Sequence, residues 1–214
     1  MNIRVRYDRV IPSPGSHMCG LTWDGHYLWH SDGSTNELYC FDLSTNQLIR
    51  SLPCPEVRTG LSFRDGSLWQ VVGRPKTLAV VSAEGGVRDV RVLDAGFQGE
   101  DMCGIEWGPD GLWIGIKTDS DHSIAELRGP GTLTTIRRLE IPGEVAGLTC
   151  EGPNLLYTDF DLGRLTVIDS VSGSRVGECS LEGHPTGLAN TGSSFWYCDY
   201  TGGVIREFAL IGSA

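Results

Sequence analysis

One phrase recurs five times along the chain, and this repetition limits the possible folds more than any other feature of the sequence. Each copy has a glycine followed by an apolar residue, a turn rich in Gly, Asp or Asn, and then an apolar pair that usually ends in an aromatic residue. The glycines stand 40 to 44 residues apart, at Gly20, Gly60, Gly104, Gly147 and Gly187. Two short apolar stretches joined by such a turn predict a β-hairpin in each copy.

Two further alternating stretches follow each of the first four hairpins, for example ELYCFDL and LIRSLPC after the first. Four short antiparallel strands in a unit of about 40 residues are typical of a β-propeller blade. No window shows the apolar period of an amphipathic helix. We therefore predict an all-β chain that forms one five-bladed propeller domain over residues 1–214, with blades starting near the five glycines.

The fifth unit is one strand short, because only IGSA follows the stretch VIREFAL. The N-terminal stretch IRVRYDRVIPSPG has the rhythm of a fourth strand. We expect residues 3–11 to complete the last blade and to close the ring without a covalent link. An open stack of blades would instead leave two exposed edge strands, which promote aggregation.

The charge balance excludes some classes of partner. The chain carries 17 Lys and Arg against 27 Asp and Glu, a net charge of −10, and it has no basic run. Nucleic acid and anionic membranes are therefore not expected as partners, and the expected form is a monomer that binds a small-molecule substrate. The N-terminus lacks the apolar core of a secretory signal, which predicts a cytoplasmic protein. Seven cysteines without a CxxC motif are interpreted as reduced packing residues.

Positions shared by all five units are interpreted as structural. The repeat glycines should lie on innermost strands that crowd the channel axis, where a Cβ would clash. An apolar position on the second strand should fill the space between blades, and it holds Trp29, Trp69, Trp113, Leu156 and Trp196. Function is then expected where the units differ, on the loops of the rim.

Two loop sets should surround one mouth of the central channel, and both carry polar residues. Three residues before the repeat glycines stand His17, Val57, Asp101, Glu144 and His184. At the ends of the second strands stand Asp32, Val72, Ile116, Asp159 and Asp199. Units four, five and one are consecutive in a closed ring, so their histidines and carboxylates should converge on one side of the mouth.

Two imidazoles and a carboxylate suit a divalent cation, so His17, Glu144 and His184 are predicted ligands of Mg, Ca, Mn or Zn. Further rim carboxylates would favour the cation, namely Glu56, Glu100 and Asp101. Without a metal, His17 and His184 could act as catalytic acid and base, with Asp101 as a further proton acceptor.

Simpler interpretations stay open at this stage. An Asp at the end of a second strand often caps the following turn, and a lone loop histidine is usually solvated. His26, His30 and His122 have no partners at the equivalent positions and are predicted to lie on the surface.

Arg58 and Lys117 lie on the other side of the predicted mouth, where they could anchor a substrate carboxylate or polarise a carbonyl. Tyr200, next to Asp199, is the third predicted substrate-binding residue. No serine elbow, phosphate loop, dinucleotide fingerprint or HExxH motif is present.

Phrases such as WGPDGLWIG and WDGHYLWHSD resemble the repeats of virginiamycin B lyase propellers, and more loosely those of sugar-lactonase and glutamine cyclotransferase propellers. The resemblance spans the chain but depends on blade-forming residues, so it supports the fold more than an activity. The lyases have seven blades and use a His base with a Mg²⁺ site, which implies His184 or His17 with Glu144 here. The cyclotransferases of this fold have five blades.

The sequence therefore predicts an enzyme that acts on a small organic molecule at the channel mouth, a metal-assisted lyase or hydrolase that opens a ring or eliminates a group. One alternative is a glutaminyl-peptide cyclotransferase-like enzyme. Another is a non-catalytic propeller that binds a protein or a sugar. A binding propeller should repeat its ligand residues in every blade, whereas these rim residues differ between blades.

Overall fold

The strand order of the chain gives five four-stranded antiparallel sheets. A computed structural model describes residues 3–91 and 101–212. Blade one contains β2 (Met18–Trp23), β3 (Leu28–Asp32), β4 (Glu37–Asp42) and β5 (Gln47–Pro53). Blade two contains β6 (Val57–Arg64), β7 (Ser67–Val72), β8 (Thr77–Ser82) and β9 (Val87–Arg91).

The other three blades repeat this meander. Blade three contains β10 (Met102–Gly108), β11 (Gly111–Lys117), β12 (His122–Arg128) and β13 (Thr135–Pro142). Blade four contains β14 (Val145–Glu151), β15 (Asn154–Asp159), β16 (Arg164–Asp169) and β17 (Arg175–Ser180). Blade five contains β18 (Pro185–Asn190), β19 (Phe195–Asp199), β20 (Val204–Gly212) and the N-terminal strand β1 (Ile3–Pro12). The described ranges hold no helix long and apolar enough to cross a bilayer.

The N-terminal strand closes the ring, as the sequence predicted. Strand β1 pairs antiparallel with β20, with Tyr7 opposite Phe208. Arg9 forms an ion pair with Glu207 of β20, and its guanidinium lies 5.0 Å from the ring centroid of Trp196. The innermost strand β18 contacts β2 of blade one. The five-bladed arrangement is therefore confirmed, and the closing strand extends one residue beyond the predicted range.

The repeat glycines allow neighbouring innermost strands to approach closely. A Cβ on Gly104 would lie 2.7 Å from the carbonyl oxygen of Ala146 in the next blade. A Cβ on Gly187 would lie 2.6 Å from the backbone nitrogen of Leu21, across the junction that closes the ring. Real Cβ atoms do not come this close to backbone atoms, so the predicted steric role of these glycines is confirmed.

The second-strand apolar residues fill the space between blades. Trp29, Leu156 and Trp196 are fully buried, and Trp113 is nearly so. Trp69 is partly exposed and packs edge to face on Trp107, with ring centroids 5.1 Å apart. All seven cysteines are free, and most of them are buried, which agrees with their predicted packing role.

His30 is fully buried, so its predicted surface position is wrong. It lies on β3, where its Nδ1 is 3.3 Å from the carbonyl oxygen of Gly20 and its Nε2 is 3.3 Å from the Ser13 hydroxyl. These two polar partners make the ring tolerable inside the protein. Burial favours the neutral imidazole and lowers the pKa of His30 to about 4.

Candidate functional site at the channel mouth

A cavity of about 360 Å³ lies at one mouth of the channel. Its inner wall is a ring of the small residues that directly precede the repeat glycines, namely Cys19, Thr59, Cys103, Ala146 and Thr186. Its outer wall comes from the two predicted loop sets and contains His17, Met18, Arg58, Lys117, Phe160 and Tyr200. The predicted substrate-binding residues Arg58, Lys117 and Tyr200 thus all line one cavity.

The second-strand aspartates are structural clamps. The carboxylate of Asp32 accepts a hydrogen bond of 2.9 Å from the backbone N–H of His17, and Asp159 accepts one of 3.1 Å from Glu144. Asp199 accepts a longer one of 3.4 Å from His184. Each clamp also caps the turn after its own strand. The aspartates therefore fix the loops that carry the predicted site residues.

One half of the mouth is an aromatic wall that crosses three blades. The ring of Phe160 lies 5.0 Å from that of His184 and 5.8 Å from that of Tyr200, measured between centroids. Tyr200 in turn meets His17 edge to face at 5.7 Å. The Tyr200 hydroxyl is 3.3 Å from Nδ1 of His17. The two predicted histidines thus lie at the two ends of a continuous row of four rings.

The other half of the mouth, formed by blades two and three, is cationic. Among the described residues, Arg58 and Lys117 are the cations that line the cavity. The ammonium of Lys117 donates to the carboxylate of Glu144 at 2.5 Å. Burial opposes the charged form of Lys117, but the hydrogen bond and the charge of Glu144 outweigh it and raise the pKa of Lys117.

Lys76 is a further cation at this side, and it was not predicted from the sequence. It precedes β8, on the loop that follows β7, and its ammonium donates to the carbonyl oxygen of Met102 at 2.7 Å. Burial lowers its pKa, while the nearby Asp101 partly opposes this effect. Lys76 does not stand at or next to either of the two repeated rim positions, so the repeats give no indication of it.

The three predicted metal ligands do not form a cluster in this structure. The carboxylate of Glu144 is paired with Lys117. Nδ1 of His184 is 3.2 Å from the hydroxyl of Thr201, and Nδ1 of His17 faces Tyr200. Within residues 3–91 and 101–212, no three His, Cys, Asp or Glu side chains are grouped so that they could hold a metal ion. As arranged here, the three side chains do not fit a divalent metal ion, and the metal site stays a prediction.

Two of the remaining predicted rim carboxylates, Glu56 and Asp101, are not among the residues that line the cavity. Asp101 is exposed on the rim, as is Glu56, and Glu100 is outside the described residues. The two thiols that do line the cavity are poor nucleophiles, because burial raises the pKa of Cys19 to about 12 and raises that of Cys103.

A half-buried carboxyl lies deeper in the structure, on β10. Glu106 is three residues beyond Cys103, away from the mouth, and accepts hydrogen bonds from the hydroxyls of Ser62 at 2.9 Å and Thr149 at 3.0 Å. These hydroxyls come from the two flanking blades. Burial outweighs the two hydrogen bonds and raises the pKa of Glu106 to about 7.

Phe160 was not predicted as a site residue, although the sequence contains the signal for it. It directly follows the second-strand Asp159, the same register position that holds Lys117 and Tyr200. A comparison of this one position across the blades gives Gly33, Gly73, Lys117, Phe160 and Tyr200. The three large members all line the cavity.

No known family profile matches the chain, and no curated protein matches it significantly. Among solved structures, it is similar to a glutaminyl cyclase from Myxococcus xanthus, with a TM-score of 0.80 and 15% identity, over 98% of this chain and 97% of that one. It is also similar to a streptogramin B lyase, with a TM-score of 0.52 and 18% identity, over 98% of this chain and 73% of that one.

A virginiamycin B lyase from Staphylococcus aureus, in a catalytically inactive form with quinupristin, has a TM-score of 0.54 and 16% identity over 94% of this chain and 69% of that one. Identities this low carry the fold and not the activity. The chain therefore shares its propeller fold with these proteins, as its repeats had predicted.

Proposed function

We propose that the protein is an enzyme that acts on a small organic molecule bound in the mouth cavity, with His17 as the group that moves a proton. The observation that carries this proposal is the position of His17, which is the one histidine among the described residues that line the cavity. Imidazole is the side chain best suited to general acid and base catalysis near neutral pH.

Tyr200 holds the imidazole of His17 in place for this role. When Nδ1–H donates to the Tyr200 oxygen, 3.3 Å away, the lone pair of Nε2 is available to take a proton from substrate or water. The backbone clamp from Asp32 fixes the same residue from the other side. Such fixed positioning of a base contributes to catalysis because less orientational entropy is lost on reaching the transition state.

Arg58 and Lys117 face this base from the cationic half of the cavity. Proton removal next to a carbonyl places negative charge on the carbonyl oxygen, and fixed cations stabilise that charge. His17 would take the proton, the electron pair would move toward the oxygen, and collapse of this enolate would expel a leaving group. The same groups could activate water for hydrolytic ring opening, so elimination and hydrolysis are the two reaction types proposed.

The divalent metal ion is a separate proposal, and no step of this mechanism passes through it. Its support is the residue types at the mouth, His17, Glu144 and His184. Binding would require Glu144 to leave Lys117.

Glutaminyl cyclisation is the second candidate. One observation favours it, namely that the similarity to the Myxococcus xanthus glutaminyl cyclase covers nearly the full length of both chains. This candidate predicts release of ammonia from peptides with an N-terminal glutamine, without added metal.

The test is a turnover screen with lactones, β-elimination substrates and N-terminal glutamine peptides, each with and without divalent cations. For the substrate that reacts, His17→Gln should lower kcat at least about 100-fold, the scale of general acid and base catalysis. His26→Gln is the matched control, because His26 is exposed and outside the cavity. Equal loss in both variants, or none in His17→Gln, would refute the catalytic role. No turnover of any substrate would favour a binding propeller.

A further inference from the structure

We infer that the cavity selects a small organic anion with a planar apolar body, of which an aromatic carboxylate is the simplest example. This inference rests on the proposed function only for the choice of site. It goes further by naming the class of molecule that the site takes.

The first argument is the distribution of charge. Arg58 and Lys117 line the cavity, whereas no Asp or Glu is among the described residues that do so. The carboxylate of Glu144 forms an ion pair with Lys117. The chain as a whole has a net charge of −10, so a cavity lined by cations is a local departure from the general charge. Two partly buried cations in one cavity favour an anionic ligand.

The second argument is the shape of the opposite wall. Phe160, Tyr200 and His17 line the cavity, and their rings contact one another edge to face. Aromatic walls favour flat apolar groups, which stack or pack edge to face on them. A volume of about 360 Å³ is at the lower end of the range of small-molecule sites, roughly 300 to 1,000 Å³. The molecule that fits both halves therefore has a planar body and one acidic group.

The third argument concerns Glu144, which forms an ion pair with Lys117. Its carboxylate lies 2.5 Å from the Lys117 ammonium, at the distance and with the charge that a ligand carboxylate would have. We therefore interpret Glu144 as an internal competitor for the ligand. Removing the charge of Glu144 should therefore increase the affinity for an anion, whereas losing a residue that contacts the ligand would decrease it.

The experiment is isothermal titration calorimetry with three probes of nearly the same shape, benzoate, benzamide and benzylammonium. We expect benzoate to bind most tightly and benzylammonium most weakly. Arg58→Gln should weaken benzoate binding about 10- to 100-fold, the value of a charge-assisted hydrogen bond. Glu144→Gln should strengthen it. Arg4→Gln and Glu151→Gln are the matched controls, because both residues are exposed and outside the cavity.

Phe160→Ala tests the aromatic half separately. It should weaken benzoate more than acetate, since only benzoate has a ring to place on the wall. Three results would overturn the inference: benzamide binding as tightly as benzoate, an unchanged affinity in Arg58→Gln, or weaker binding in Glu144→Gln. Because the readout is binding and not turnover, benzoate selectivity with no enzymatic activity would refute the proposed function and leave this inference standing. Activity on a neutral substrate without benzoate selectivity would do the reverse.

Discussion

Replacing Glu106 by glutamine should change how the stability of the fold depends on pH. Burial raises the pKa of Glu106 from 4.5 to about 7, so the folded state holds this proton more tightly than the unfolded chain does. Between pH 4.5 and 7 the unfolded chain loses the proton first, and the free energy of unfolding falls as the pH rises. The total loss is about 3 kcal/mol, at 1.36 kcal/mol for each pH unit between the two pKa values.

His30 contributes a slope of opposite sign in nearly the same window. Burial lowers its pKa from 6.5 to about 4, so the unfolded chain binds the proton first as the pH falls below 6.5. Stability from this group is therefore lost as the pH falls, and it returns as the pH rises from 4 to 6.5. Its size is also about 3 kcal/mol. The two effects should nearly cancel, which predicts an almost flat profile between pH 5 and 6.5 in the unmodified protein.

Glu106→Gln removes one of the two opposing slopes. From pH 5 to 6.5 its stability should rise by about 2 kcal/mol. This is worth roughly 4 to 8 °C in Tm for a chain of this size. The amide can still bond the hydroxyls of Ser62 and Thr149, and any loss there is independent of pH. The assay is urea unfolding at half-unit steps from pH 5 to 8, above the range in which Asp32 and Asp199 titrate, since the pKa of both is lowered. The argument fails if the variant and the unmodified protein have parallel profiles.

Three further perturbations test the ring and the rim. Deletion of residues 3–12 should expose the edge of β20 and abolish cooperative unfolding; a soluble monomer that melts at the original temperature would contradict the closed ring. Gly104→Ala should destabilise the fold by about 1 to 3 kcal/mol in chemical denaturation, the cost of overpacking, because its Cβ would lie 2.7 Å from a backbone oxygen. The control Gly131→Ala should change the stability little, because a Cβ at Gly131 has open space. If a divalent ion binds, His17→Ala and His184→Ala should each weaken its affinity at least about 10-fold. Calorimetry that detects no binding of Mg, Ca, Mn or Zn would refute the metal site. Binding lost only on changing Asp32, Asp159 or Asp199 would place the ion at the ends of the second strands.

Most of the fold could be predicted because its determinants are local and repeated. Gly104 and its four equivalents mark each innermost strand, and the missing fourth strand after VIREFAL marks the closure. The burial of His30 could not be predicted, because it depends on packing between blades, where the Cys198 sulfur of blade five lies 3.5 Å from Nδ1 of His30.

The candidate site was predicted in part for the same reason. The repeats predicted His17 at an aligned position and Arg58, Lys117 and Tyr200 one residue after aligned positions, since a repeated fold places equivalent positions on one rim. It did not predict the pairing of Lys117 with Glu144, because that contact joins two blades whose side chains differ from those of the other blades. The titration of Glu106 depends on burial between two neighbours, which spacing alone does not reveal.

The pairing of β1 with β20 also affects the order in which the blades can fold during synthesis. Of all the described strands, β1 is synthesised first, yet its partner emerges from the ribosome last. Blades one, two, three and four can each form from consecutive residues as synthesis proceeds, whereas blade five must wait until both ends are present. Contacts so distant in sequence are slow to form, because the closure entropy of the whole chain opposes them. During that interval β1 is an unpaired strand, so a nascent chain should depend on protection of this segment against association with other chains.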